Sequence, residues 1–309
     1  MKVGIVTVHD SANIGSFLQA LGMQELVRQN GDEPFVIKTR SEFSTFCLFL
    51  GYYNVPGIRS VKKFMYFVAG RLKHFPQTWK MIKKYAVYKR EREVFENIIS
   101  VNKSKKIKLD VLLLGSDEIW NTKKVTFRNP LLYGIGILAP KKLGYAISIG
   151  DMEQSGWNQY EELLAGIKNL DGILVRDERT RKVIENYEIQ VDERICDPTL
   201  QVDIRKYMKT TSEVKLPVDD YIAVYSYSVD ENTKKIIQRI AEKNHLKTVA
   251  ISLEQPWCDE YINCSPLEFG AVFSKANMYI LLLFMGQFFQ YYTTNSLSCN
   301  RLARRFWMF

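Results

Sequence analysis

The sequence predicts an α/β protein with two parallel sheets, and three observations carry that reading. Residues 3–8 form a short continuous run rich in β-branched side chains, the pattern of a parallel strand covered on both faces. Similar short apolar runs recur with helical segments between them, an alternation whose natural product is a set of crossover units feeding one parallel sheet. A polar stretch at 206–217 then separates the first such series from a second. A length of 309 residues accommodates both at roughly 100–200 residues per domain.

The elements follow in order. After the opening strand, residues 9–16 are rich in turn and helix-capping types, and 17–29 read as a helix that stops near Asn30 and Gly31. A second strand at 34–37 completes a βαβ unit. Residues from about 41 to 107 interrupt this rhythm with aromatics, among them Phe64, Tyr66, Trp79 and Tyr85, set among Lys and Arg, and are expected to form two helices. Strands resume at 110–114, 144–149 and 172–175, with helices at 155–168 and 177–186. Residues 196–200 and 206–217 read as a domain exit and linker. The second series comprises strands at 221–227, 247–253 and 277–280, with helices at 231–244 and 266–275. The expected domains are thus 1–205, carrying a basic helical insertion at about 41–107, and a partial second domain at 218–280.

Hydrophobic residues make up 46% and charged residues 25%, a globular composition that argues against disorder. The formal charge of +9 is unevenly placed: residues 58–108 hold fifteen Lys/Arg against three Asp/Glu, so they carry +12 and the remainder −3. A local anionic partner is therefore expected rather than nucleic acid, for which no binding module is recognisable. The segment reads either as a surface for an anionic lipid-linked sugar or a membrane face, or as a solvated helical pair with aromatics inward and lysines outward. Five cysteines, odd in number and without a CxxC pair, argue against a disulfide frame or structural zinc and point to a reducing, cytoplasmic compartment. The opening residues lack a signal-peptide pattern, and the apolar run at 278–284 is shorter than the ~20 residues a membrane helix needs. Neither a metal site nor a cofactor is expected.

In a doubly wound sheet, ligands sit beyond the carboxyl ends of the strands. Candidate residues are therefore Asn13, Gly15 and Ser16 after the first strand, Ser116 and Asp117 after the strand at 110–114, and Arg176 and Asp177 after the strand at 172–175. Asn13, Gly15 and Ser16 open a helix, so they either present free backbone N–H groups to a phosphate or carboxylate or simply cap it. Ser116 and Asp117 either place a hydroxyl and a carboxylate over the sheet or cap the next helix. Arg176 can grip an anion through two parallel hydrogen bonds, or form a surface pair with Asp177 or Asp197. Of three histidines, His9 alone follows a strand. Histidines 74 and 245 lie in charged helical surroundings and read as solvated.

Several blocks together resemble the polysaccharide pyruvyl transferase family: 2–7, Asn13-x-Gly15-Ser16-x-Leu18-Gln19-Ala20, Gly115-Ser116-Asp117-Glu118-Ile119-Trp120-Asn121, 145–150, Val175-Arg176-Asp177-Glu178, and Asp197-Pro198-Thr199-Leu200. The Gly-Ser-Asp-x-x-Trp-Asn block is the most specific. The resemblance implies two Rossmann-like domains akin to the glycosyltransferase B fold, the second incomplete here. It also implies transfer of pyruvyl from phosphoenolpyruvate, as donor substrate, to hydroxyls of a sugar or lipid-linked glycan, with Arg176 on the anions. A nucleotide-sugar glycosyltransferase and a non-catalytic glycan- or membrane-binding protein are the competing readings.

The family's general acid is usually a histidine in a Ser/Thr-x-x-His-Gly-like block after a late strand of the second domain, and that block is missing. Reading the codons of residues 284–295 one base earlier permits His-Gly-Thr-Val-Phe-Ser-Ile-Leu-Tyr-Asn-Lys, with the glycine and the leucine forced. A frame shift near codon 280 is therefore expected, making 281–309 an out-of-frame tail that retains no catalytic acid. The competing reading of the tail is a genuine apolar helix.

Overall fold

A computed structural model describes residues 1–53, 61–216 and 218–281. The expected out-of-frame tail, 281–309, apart from its first residue, and the start of the basic stretch, 58–60, lie outside the described residues. The chain divides into two compact units, Met1–Ile204 and Arg205–Phe309.

The first unit is built on β1 (Lys2–Val6), α1 (Ile14–Gln29), β2 (Glu33–Lys38), α2 (Glu42–Phe49), α3 (Val61–Lys73), α4 (Phe75–Glu91), β3 (Ile99–Ser100), α5 (Val101–Ile107) and β4 (Val111–Leu114). It continues through β5 (Lys141–Ile147), α6 (Glu161–Lys168), β6 (Gly172–Val175), α7 (Glu178–Glu185), β7 (Glu193–Arg194) and α8 (Pro198–Gln201). Its seven strands, all parallel, lie in the order β3-β2-β1-β4-β5-β6-β7. This is the doubly wound order, and its direction reverses between β1 and β4. From Val3 to Val6, β1 is buried at every residue, as its unbroken apolar run requires of a strand with helices on both faces.

Helix α1 begins where the Asn13 side chain caps it and is buried along nearly its whole length. One side packs on the sheet and another on α8, where a Cβ on Gly22 would come within 3.0 Å of the Pro198 backbone. Asp197, Pro198 and Thr199, within the 196–200 stretch expected to be a domain exit, are therefore buried in the first unit. The core beyond β4 is aromatic: Trp120 stacks on Tyr133 at 6.2 Å between ring centroids and meets Trp157 edge-on at 6.4 Å. The insertion forms α2 to α5 and the short β3 rather than two helices. Its aromatics divide between two environments, since Phe49, Tyr85, Tyr88 and Phe95 pack inward whereas Tyr66, Phe75 and Trp79 are exposed.

The second unit contains β8 (Tyr221–Tyr225), α9 (Glu231–Asn244), β9 (Lys247–Ile251), β10 (Glu260–Ile262), α10 (Phe269–Lys275) and β11 (Met278–Leu281). Its described strands form a parallel sheet in the order β10-β9-β8-β11. Strand β10 was not evident in the sequence because residues 260–262 are only three long and half exposed, too short for a pattern. Among the described residues no helix is long and apolar enough to cross a membrane.

Candidate functional site at the switch point of the first sheet

The loops that follow β1 and β4 flank the point where strand order reverses, and their polar side chains bond across it. Ser16 Oγ donates to Asp117 Oδ2 at 2.6 Å. Beneath this pair, the buried Gln19 on α1 donates to Thr7 Oγ1 (2.8 Å), Val8 O (3.2 Å) and Ser16 O (2.7 Å), and accepts from the Ser116 N–H at 3.1 Å. One carboxamide thus ties both loops to the helix, leaving neither of its polar ends unpaired in the core.

The backbone of the β4 loop is constrained to match. Gly115 sits at φ +118°, and a Cβ there would lie 2.2 Å from the Tyr145 carbonyl oxygen, so only glycine lets this loop pass β5. Asp117 follows in the left-handed region at φ +81°, held by its own backbone: its carbonyl accepts from the Ser148 N–H at 3.0 Å. Its Oδ1 accepts the Glu118 N–H at 2.8 Å, leaving Oδ2 for Ser16.

The cluster extends to β6 through Asp197. Ser116 Oγ donates to Asp197 Oδ2 at 3.1 Å and Arg176 Nη1 donates to the same oxygen at 2.9 Å. The other oxygen caps α8, accepting from Thr199 N (3.0 Å) and Oγ1 (2.6 Å). The ion pair is not a surface pair: the side chains are 14% and 1% exposed for Arg176 and Asp197. Burial works against the Arg176 charge, but Asp117 and Asp197 outweigh it and raise the guanidinium above its ordinary pKa, so it is a permanent cation.

Two of the expected readings are corrected by this geometry. The N–H groups of Gly15 and Ser16 are not presented to an outside anion, because Asn13 Oδ1 accepts both, at 2.7 and 3.3 Å. Asn13 and Gly15 thus serve as a helix cap, while Ser16 enters the cluster through its hydroxyl. Asp177 is spent in the same way: its Oδ1 accepts from Thr180 N and Oγ1, both at 2.8 Å, capping α7. A carboxylate at a helix start has unpaired N–H groups within reach in its own first turn, and here it accepts them. Ser116, Asp117, Arg176 and Ser16 come together as a network.

Residues that sequence reasoning missed also surround the site. Asp197, expected in a domain exit or as a surface partner of Arg176, is instead a buried member of the cluster, and Gln19, part of a family block with no role of its own expected, ties the loops together. A second buried pair follows β1, where Arg40 Nη1 donates to Asp10 Oδ1 at 2.9 Å and Thr45 Oγ1 to Oδ2 at 3.0 Å. Burial tends to raise the Asp10 carboxyl, yet the Arg40 guanidinium and the Thr45 hydroxyl hold it below the ordinary range. Beside it His9 is fully buried, its Nδ1 3.3 Å from Thr7 O, and its Nε2 has no hydrogen-bond partner among the described residues. Burial pushes the His9 pKa down, so the imidazole is neutral in the folded protein at neutral pH. On the far side of the β4 loop, buried Asn121 donates to Asp151 Oδ1 at 2.9 Å, whereas Trp120 serves the core, its Nε1 bonded to Leu132 O at 3.0 Å. Among the described residues no group of acidic, His or Cys side chains has the arrangement of a metal site.

Fold and site together define a class: a Rossmann-like α/β protein whose polar cluster lies at the carboxyl ends of the strands flanking the switch point. The family model for polysaccharide pyruvyl transferase matches residues 13–280, a span that contains the cluster from Ser16 to Asp197. The chain belongs to that family. No curated protein matches the sequence. Among solved structures the chain is similar to UDP-N-acetylglucosamine 2-epimerase from Rickettsia bellii, at 10% identity over 90% of this chain and 72% of that one, with a TM-score of 0.42.

Proposed function

We propose that this protein is built to transfer the pyruvyl group of phosphoenolpyruvate to two hydroxyls of a sugar in a polysaccharide precursor, closing a ketal. The observation that supports this reading best is the convergence of the family's motifs, far apart in sequence, on one hydrogen-bonded cluster at the switch point. In the reaction a general acid protonates the enol methylene, which becomes the methyl group. One sugar hydroxyl adds to the resulting cationic carbon, phosphate departs, and the second hydroxyl closes the ring. The two hydroxyl protons are released, one restoring the acid and one leaving with phosphate.

Arg176 is the residue assigned to the donor's anionic groups, and Asp197 is the positioning residue that fixes its guanidinium. Asp117 and Asp197 set two negative charges against this one cation, so drawing in a multiply charged donor requires further Lys or Arg side chains. The acid itself belongs to the shifted reading of codons 284–295. On this proposal the chain as written lacks it, and pyruvyl transfer is feeble or absent until the frame is restored. The reaction takes place in the reducing cytoplasm.

The test is phosphate release from phosphoenolpyruvate in the presence of candidate sugar acceptors, for the chain as written and for its frame-restored counterpart. The restored protein is expected to turn over and its Arg176→Met variant to lose most activity. No phosphate release by the restored protein with any acceptor overturns the proposal. The nucleotide sequence across codons 275–300 tests the frame shift separately.

A further inference from the structure

We propose that the outer face of α3 and the first turns of α4 dock this protein on an anionic lipid bilayer, with apolar side chains entering the interface and flanking lysines meeting the headgroups. The inference stands apart from the transferase reading, since it concerns no residue of the switch-point cluster.

The first ground is charge. From residue 43 to residue 90 the sequence has ten Lys/Arg and no Asp or Glu. Solvated helices ordinarily intersperse both signs to support themselves with i,i+4 pairs. A single-signed run is instead a field directed at something negative.

The second ground is that α3 has two apolar faces and the fold buries one. Phe64 and Phe67 turn inward onto Tyr52, at ring-centroid separations of 5.7 and 4.8 Å. Met65, Val68 and Leu72, spaced i, i+3 and i+7, form a second stripe facing solvent, with Met65 65% and Leu72 67% exposed. Phe75 and Trp79 extend it onto α4, stacked at 6.2 Å, and Lys83 Nζ lies 5.7 Å from the Trp79 ring centroid. Of the fourteen large apolar side chains exposed among the described residues, eight fall within 43–79, six of them on α3 and α4, so apolar exposure is concentrated on the insertion.

Charge and apolarity together select the occupant. A second copy of this chain would bring the same positive charge against itself, which like-charge repulsion disfavours. A nucleic-acid backbone would satisfy the lysines but leave the apolar stripe in water. An anionic bilayer satisfies both, accepting apolar side chains just below the headgroups, and Trp and Tyr favour that depth. The 13 residues of α3 are too few to span a bilayer, so the helix lies along the surface.

The experiment is cosedimentation of the full chain with phosphatidylcholine vesicles, with and without phosphatidylglycerol, at low and high salt. We expect pelleting only with the anionic vesicles, weakened by salt, and a blue shift of tryptophan emission that Trp79→Phe removes. Lys62→Gln, Lys63→Gln and Lys73→Gln combined should lower partitioning about a hundredfold. Met65→Ser with Leu72→Ser should remove the binding that survives salt, whereas Lys234→Gln with Lys235→Gln on α9 should change nothing. Circular dichroism confirms that each variant is folded, and the single Leu72→Ser replaces any that is not. Failure of the unaltered protein to pellet with anionic vesicles, equal pelleting with neutral ones, indifference to the α3 variants, or self-association that Leu72→Ser abolishes would each overturn the proposal.

Discussion

The switch-point cluster and the α3–α4 face are opposite solutions to polar placement within one unit. At the cluster, charged groups are withdrawn from solvent and answered by partners from elsewhere in the chain, Arg176 by Asp197 21 residues on, Asp197 by Ser116 81 residues back and Asp117 by Ser16 101 residues back. On the α3–α4 face the cations are exposed, of one sign, and interleaved with apolar side chains that the fold does not cover. The difference shows where the energy of each region resides. Breaking the cluster strands a buried charge or clashes with backbone, whereas altering the helical face changes what the protein can touch but hardly changes its stability.

The hardest blow to the cluster is Gly115→Ala. The added Cβ would overlap the Tyr145 carbonyl at a backbone angle side chains rarely adopt, and stability should fall by more than about 5 kcal/mol, read from the urea midpoint. Next is Asp197→Ala, which leaves the Arg176 guanidinium buried without its carboxylate and uncaps α8. A loss of about 3–5 kcal/mol is expected, and Arg176→Met in the same chain should recover part of it in a double-mutant cycle.

A smaller effect comes from acid. The His9 pKa is depressed in the folded state, so below about pH 6.5 the unfolded chain takes up a proton that the folded one refuses, and stability declines as pH falls. The neighbouring Asp10 carboxyl, held low by Arg40, stays ionised through this window and adds its own loss only at more acid pH. His9→Gln should flatten the slope just below pH 6.5 in melting curves taken across that range. Smallest of all is Leu72→Ser on the exposed stripe, expected to shift unfolding free energy by less than about 0.5 kcal/mol; a large loss would show that the stripe is packed rather than presented.

Legibility in the sequence followed the range of the interactions. The strand at 3–8 and the helices from 17 to 29 and from 231 to 244 were readable because periodicity and caps are local, and their observed counterparts are β1, α1 and α9. Strands β3, β7 and β10 escaped, being two or three residues long, with no period to detect. In the site, Ser16, Ser116, Asp117 and Arg176 are legible as rim residues from their places after strands; for Asn13 and Gly15 a ligand contact and a helix cap stand as alternatives in the sequence and the structure has the cap, while Asp177, a ligand candidate, caps α7. Asp197 is legible as a partner of Arg176 and as part of a family block, but not as a buried member of the site, because a carboxylate before a proline in a polar stretch looks like a linker. Its signal was present in the Asp197-Pro198-Thr199 helix start, which marks a capped turn rather than an exit.

What the residue order alone determined is the class of fold, the family, and the single-signed helical segment, since each depends on patterns within a few turns of chain. Which carboxylate holds Arg176, which hydroxyl meets Asp117, and which apolar stripe of α3 remains in water were settled only when the sheet brought distant loops to one edge. The physical reason is that a buried polar group takes whichever partner packing places within hydrogen-bond reach, and sequence distance carries no information about that reach.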